Sequence, residues 1–328
     1  MQKDRRVKKK ILLFLILLLA FLLLAFLCWK IFIEEPKPDW DDSFSQSGYG
    51  DIEYEGHKYR YNTHLKNILF VGIDNYDEIR EDSIPGEAGQ ADCVMLITLD
   101  SSTQTASLMQ IPRDTMTSID IYTKNGQPRA KVTEQLATQY SYTVGGADGG
   151  RAMKNTVSNL LFELPIDGYL VLDMAAIDDI TTELGGVTLT IPEDYTQIDS
   201  AFKKGATLTL TGEQAYDYVH YRDTKLAFSN NGRMQRQNDF VPALIDTVHR
   251  NMEADSNFYK TLYSIAGKYM VTDLQEEEFN KLATYELDTD EIRILPGEGK
   301  QGEKYEEFYL DSKKTEKILI EMFYILKE

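Results

Sequence analysis

An α/β domain carried outside the cell on a single N-terminal membrane span is the architecture that this 328-residue sequence predicts. Three observations point to it. A basic opening is followed by a long uncharged apolar run, about 300 residues remain beyond that run, and strand-like and helix-like segments then interleave without an internal repeat. Interleaved elements of this kind argue for a central sheet with helices on both faces.

Residues 1–10 carry Lys3, Arg5, Arg6, Lys8, Lys9 and Lys10 against the single acid Asp4. Ile11–Trp29 is uncharged and Leu-rich, and as a helix it would rise about 28 Å, the thickness of a bilayer's hydrocarbon core. Positive charge on its N-terminal side keeps that end in the cytoplasm and sends the rest outside. A cleaved signal peptide would show an apolar core of about 7–15 residues and a small-residue cleavage site, and neither feature fits. The expected organisation is a cytoplasmic tail (1–10), a transmembrane helix (11–29), a polar juxtamembrane stalk (30–60) and an extracytoplasmic domain (61–328).

In the domain, Asn67–Val71 reads as a buried strand running out through Gly72 to Asp74. Asp92–Leu99 and Thr105–Ile111 are further strands, split by the turn-like Asp100-Ser101-Ser102. Glu134–Tyr142 and Gly149–Phe162 read as helices, and Tyr169–Leu172 as a strand. Ala175–Leu184 is a helix ended by Gly185-Gly186, and Val187–Ile191 a strand stopped by Pro192. Thr211-Gly212-Glu213-Gln214 is a capping-box pattern opening a helix through about Val219. A longer helix is expected from Arg233 to His249, then a strand at Ile292–Leu295 and an amphipathic helix from Ser312 to Leu326. Residues 196–210 and 251–290 are the least marked.

Formal net charge is −18. Setting aside the seven cations of the first thirty residues, Lys30 included, and their one acid leaves −24 for residues 31–328. Such a domain repels nucleic acid, so any phosphate ligand must be held by a local cluster of arginines. The two cysteines, Cys28 at the membrane edge and Cys93 in an apolar run, are not placed to pair. An exported domain without disulfides suits a Gram-positive surface protein with a large core.

Polar residues stand where packing does not ask for them in three places. Asp74 follows a buried strand and Asp92 leads into one, and ligands of open α/β sheets gather outside strand ends. Two carboxylates there could hold Mg²⁺ through a phosphorylated substrate; on spacing alone the simpler account, in which Asp74 caps a turn and Asp92 starts a strand, is favoured. Arg113 follows Pro112, and beyond it come His220-Tyr221-Arg222-Asp223 and Arg233-Met234-Gln235-Arg236-Gln237. On a helical wheel Phe240, Val241, Leu244 and Val248 form the inward stripe; Arg233 and Gln237 lie on or beside it, Arg236 at its margin. Arginines facing inward in a first helical turn are costly unless an anion sits there. Salt bridges to the chain's many acids are the other account.

The runs NILFVGID (67–74), ADCVMLITLD (91–100), ASLMQIPRDT (106–115), LGGVTLTIP (184–192), LTGEQAYDYVHYR (210–222) and GRMQRQ (232–237) together resemble the LytR-CpsA-Psr family. Their order and spacing over residues 67–250 match that family, as does a one-pass anchor with the domain outside. The resemblance implies a three-layer α/β/α fold with a mixed central sheet and an apolar tunnel for a polyprenyl tail. It implies a pyrophosphate held by Arg113, Arg222, Arg233 and Arg236, with His220 and Gln237 beside them, and Mg²⁺ at Asp74 and Asp92. Asp92, Arg113, Arg222 and Arg236 would be the catalytic set. The implied reaction moves a glycopolymer, such as teichoic acid or capsule, from its polyprenyl-pyrophosphate carrier to peptidoglycan, with pyrophosphate hydrolysis as a companion activity. Phosphoryl transfer of this sort needs charge neutralisation and positioning more than a covalent residue.

Three positions depart from the family's pattern. His220 stands where an arginine is common, Asn230 where an aspartate is, and Gln90 where an arginine is. Each weakens the charge of the site. The alternative they raise is a non-catalytic surface protein that binds lipid pyrophosphate or wall polymer. An acidic domain outside the membrane does not meet DNA, which sets aside a direct role in transcription.

Overall fold

The computed structural model describes residues 51–74, 79, 83–223, 225–282, 284–287 and 292–327. The basic tail, the 11–29 span and most of the expected stalk lie outside the described residues. Among the described residues no helix is long and apolar enough to cross a membrane.

The fold opens with strands β1 (Asp51–Tyr54) and β2 (His57–Tyr61). Residues 51–60 were expected in the stalk; instead β1 and β2 form a hairpin whose second strand also pairs with Tyr324–Leu326 near the C-terminal end, so the folded part begins by Asp51. Then follow β3 (Leu65–Asp74), β4 (Gln90–Asp100) and β5 (Thr105–Gln110). Both β3 and β4 are near-continuous apolar runs, as strands covered on both faces must be. Next is a hairpin of β6 (Met116–Tyr122) and β7 (Pro128–Gln135), then a single helical turn α1 (Thr138–Ser141). Of the helix expected over Glu134–Tyr142, only Thr138–Ser141 is helical, and Glu134 and Gln135 end β7 instead. Its Glu and Gln favour helix intrinsically, but pairing with β6 in register decides the backbone.

Helix α2 (Gly146–Leu160), strand β8 (Gly168–Asp173), helix α3 (Ala176–Glu183) and the β9–β10 hairpin (Val187–Thr190, Thr207–Leu210) come next. Helix α4 (Gly212–His220) starts with the expected capping box, Thr211 accepting from the Gln214 amide and Gln214 reaching back to the Thr211 amide. Helix α5 runs over Ser229–Ala254, and α6 over Phe258–Ala266. The chain closes through β11 (Met270–Thr272), α7 (Glu276–Leu282), β12 (Glu286–Leu287), β13 (Arg293–Ile294), the β14–β15 hairpin (Gly297–Gln301, Glu306–Leu310), α8 (Ser312–Phe323) and β16 (Tyr324–Leu326). The last helix is thus shorter than expected, since Tyr324–Leu326 pairs with β2.

The central sheet is mixed, with strand order β11-β8-β3-β4-β5-β12 and β13 also against β5. Strands β3 and β8 are parallel, whereas β3–β4 and β4–β5 are antiparallel. On one face Leu69, Val71, Ile73, Val94, Leu96 and Met109 pack with Met153 and Val157 of α2 and Leu319 and Phe323 of α8. Helix α2 approaches closely because a Cβ at Gly150 would strike the Tyr169 ring. On the other face Cys93, Met95 and Leu108 pack beneath Val241 and Ile245 of α5. This is the expected three-layer α/β/α arrangement. A second core, with Phe202, Tyr218 and Phe240 at its centre, fastens α4 and α5 to the β9–β10 hairpin.

Candidate active site

The site stands at the end of β3, on the α5 face of the sheet. Asp74 is the last residue of β3 rather than a loop residue past it, and Asp92 lies within β4. Its position depends on a β-bulge. Gly72 pairs with Cys93 and Ile73 with Ala91, so Asp92 is the extra residue of β4. Strict alternation would send Asp92 into the apolar layer with Val94 and Leu96. The bulge gives that place to Ala91, which packs in that core, and turns the carboxylate toward α5.

There Asp92, buried at 6% exposure, accepts from two guanidiniums. Nη1 of Arg113 donates to one carboxylate oxygen and Nη1 of Arg233 to the other. Arg113 arrives from the loop after β5. Its Nη2 donates to the Gln90 side-chain oxygen at 2.6 Å, and its Nε lies 3.6 Å from Asp114. Arg233 arrives from α5 and donates through Nε and Nη2 to the Asn230 oxygen at 3.3 and 2.8 Å. Asn230 in turn donates to Asp114 at 3.0 Å. Two of the departures thus have local reasons. An arginine at 90 would set a cation against Arg113, and an aspartate at 230 a carboxylate against Asp114. Burial lowers the pKa of Arg113 from its ordinary value but does not uncharge it. Burial raises that of Asp114, with the arginines opposing.

His220, the last residue of α4, has its Nε2 3.4 Å from Asp74. Hydrogen bonding between them lowers the Asp74 pKa and raises that of His220. The imidazole stacks on Tyr216, ring centres 4.9 Å apart. The structure therefore gives His220 to the acids rather than to the arginine group. One ligand atom from each of Asp74, Asp92 and His220 falls within 4.8 Å of the other two.

Arg222 is half-buried, and its Nε donates to Ser229 at 3.1 Å. Arg236 behaves differently. Its Nε donates to the Tyr218 carbonyl at 2.6 Å and its Nη2 to the Tyr221 carbonyl, with the guanidinium over the Tyr195 ring at 5.3 Å. Gln237 donates to the Val219 carbonyl and accepts from Gln110, both at 3.3 Å. These two α5 residues satisfy the orphan carbonyls at the end of α4, where a cation also meets the negative end of the helix dipole.

Helix α5 begins at Ser229, four residues before the expected start, so Arg233 and Arg236 lie beyond its first turn and face little of its macrodipole. Of the expected stripe only Phe240 is buried; Val241, Leu244 and Val248 are half-buried. Residues that sequence reasoning left without a role include Asp114, Ser229 and Asp173. Asp173, at the end of β8 beside Ile73, is 1% exposed, and burial pushes its carboxyl up to about 6. Beyond Asp114 a small, partly open cleft is lined by Phe228, Asn231, Glu306 and Phe308.

Residues 42–323 match the LytR_cpsA_psr family. Among curated proteins, TagV of Bacillus subtilis (strain 168), a polyisoprenyl-teichoic acid–peptidoglycan teichoic acid transferase, is 31% identical over 203 residues, covering 59% of this chain and 45% of TagV. The match thus spans less than half of that relative's length. TagU of Enterococcus faecalis, a transferase of the same description, is 26% identical over 249 residues, 74% of each chain. The crystal structure of B. subtilis TagV matches with a TM-score of 0.59 at 25% identity, over 79% of this chain and 97% of that one. With the family's pattern running through nearly the whole described domain, the chain belongs to the LytR_cpsA_psr family.

Proposed function

We propose that the protein is a phosphotransferase that moves a glycopolymer from a polyprenyl-pyrophosphate carrier onto peptidoglycan, outside the membrane that residues 11–29 span. The observation that carries this reading is the charge of the site. In a chain of net charge −18, the guanidiniums of Arg113, Arg222 and Arg233 gather around Asp92, Asp74 and Asp114. Three guanidiniums gathered at one sheet end of an otherwise acidic domain suit a phosphate ligand such as a pyrophosphate. Beside it, the half-buried Phe70, Ile97, Val241 and Ile245 border the apolar layer between sheet and α5, where a polyprenyl tail would lie. The relatives named as teichoic acid transferases support the same reading.

In this account Arg113, Arg222 and Arg233 hold the pyrophosphate. Arg236 and Gln237 position the end of α4, from which His220 and Arg222 project. The acceptor sugar enters by the cleft beyond Asp114. Its hydroxyl oxygen bonds to the sugar-linked phosphorus, the bond from that phosphorus to the polyprenyl phosphate oxygen breaks, and Asp114 takes the hydroxyl proton. A buried carboxyl of raised pKa is suited to that task. The Mg²⁺ implied by the resemblance fits Asp74 and Asp92, whose oxygens lie close enough to share an ion. Such an ion, when bound, would neutralise pyrophosphate charge.

The test is turnover. The full chain in detergent should release polyprenyl phosphate and form a glycan–phosphodiester product from a lipid-linked glycopolymer and peptidoglycan fragments. Asp114→Asn should lower the rate at least a hundredfold while lipid binding persists. Tight lipid binding without turnover under any metal condition would favour the non-catalytic binding reading.

A further inference from the structure

Asp74, Asp92 and His220 come together from three separate elements, the end of β3, the bulge of β4 and the last residue of α4. Two carboxylates alone would suit a hard ion that keeps most of its water. An imidazole in the same group changes the donor chemistry. We propose that His220 is a third metal ligand and that it turns this site toward divalent ions that accept nitrogen, manganese or zinc, in preference to magnesium. The inference rests on the reading of Asp74 and Asp92 as the metal side of the site.

The geometry is close to what coordination needs. Six-coordinate ligands at 2.0–2.1 Å stand about 3 Å apart when adjacent and about 4.2 Å apart when opposite. The His220 Nε2 to Asp74 Oδ2 separation of 3.4 Å is near the first of these, and none of the three pairs exceeds 4.8 Å. The imidazole is also held in place. Tyr216 stacks on it at an interplanar angle of 23°, and the α4 end that carries it is tied to α5 by Arg236 and Gln237. Both oxygens of Asp92 already accept from arginine, yet each carboxylate oxygen has a second lone pair to offer. Imidazole nitrogen favours transition ions and zinc over magnesium, in the order that nitrogen sites generally follow. The competing account makes His220 only a hydrogen-bonded partner of Asp74, with no part in ion binding.

The experiment titrates the purified full chain in detergent with magnesium, manganese and zinc chlorides separately, with and without inorganic pyrophosphate. Wild type should bind manganese and zinc at least tenfold tighter than magnesium. Bound Mn²⁺ should show coupling to a single imidazole ¹⁴N by electron–nuclear double resonance. His220→Gln should lose that coupling and bring the manganese-to-magnesium ratio at least tenfold closer to one, with its unfolding midpoint measured without metal as the control for folding. Asp74→Asn should weaken every ion while keeping the nitrogen coupling, so the inference does not depend on one variant's folding. Absence of ¹⁴N coupling in wild type, or an unchanged ion preference in folded His220→Gln, overturns it. Retention of polyprenyl pyrophosphate by protein that binds no divalent ion would overturn this inference and leave the arginine-clamp reading standing. Nitrogen-coupled manganese in protein that binds no lipid would do the reverse.

Discussion

Asp92 is the residue on which the site is built, because it separates two buried guanidiniums that would otherwise repel. Removing one partner from such a buried group costs about 3–5 kcal/mol. Asp92→Ala should therefore lower the melting temperature by roughly 10 °C, taking about 2–4 °C per kcal/mol for a domain of this size. A more specific consequence follows from the same charges. Inorganic pyrophosphate should raise the melting temperature of Asp92→Ala more than that of wild type, since the anion then replaces the missing carboxylate. Equal shifts in thermal scans of the two proteins would mean that Arg113 and Arg233 do not form an anion site. The sequence marked Asp74, Asp92 and the arginines by their odd positions at strand ends and on an inward helix edge. It did not show that Asp92 faces α5, because that depends on the one-residue bulge at Gly72/Ile73, and period-2 reading assigns Asp92 to the opposite face. Nor did it separate Arg236 from the other arginines. Only the α4 carbonyls in its reach reveal that its hydrogen bonds go to backbone.

Between elements, the contact between α4 and α5 positions the chemistry. Arg236 supplies two hydrogen bonds to carbonyls at the end of α4, and each buried carbonyl left without a donor costs about 1–3 kcal/mol. Arg236→Met should therefore lower stability without any ligand present. Arg222→Ala, losing one contact to Ser229, should leave stability near wild type and lose anion affinity at least tenfold. Denaturant unfolding together with pyrophosphate titration separates the two, and the reverse pattern would exchange their roles. Elements with strong local signals were legible. The capping box at Thr211, the glycines that end α3 and the apolar runs of β3 and β4 all fell where their chemistry put them. Elements decided by partners were not. Strand β7 has helix-favouring residues but is held by β6, and β16 continues a helical pattern yet pairs with β2. Helix α5 starts early because Phe228 takes a left-handed conformation, φ 54°, with its amide donated to Glu306. A contact to a residue 78 positions away leaves no local trace.

The whole molecule combines an acidic composition, a local cluster of arginines and one stretch of membrane-length sequence. An acidic surface keeps bulk polyanions away, and on the proposed function the arginine group would admit a pyrophosphate held at the bilayer by its lipid. The mixed sheet brings this about by placing β3 and β4 side by side at its centre, so that their acids meet the end of α4 and the start of α5. The family, the central strands and the inward-facing arginines were legible in the motifs, whereas the helix start that carries those arginines inward and the closing of the domain through β1, β2 and β16 were not. The most direct measurement is mass spectrometry of the lipids that copurify with the detergent-extracted full chain, before and after incubation with peptidoglycan fragments. Wild type should carry a polyprenyl-pyrophosphate glycan that disappears on incubation, leaving polyprenyl phosphate, and folded Arg222→Ala should carry little or none. Wild-type protein without such a lipid, or an Arg222→Ala variant that retains as much of it, would contradict the account.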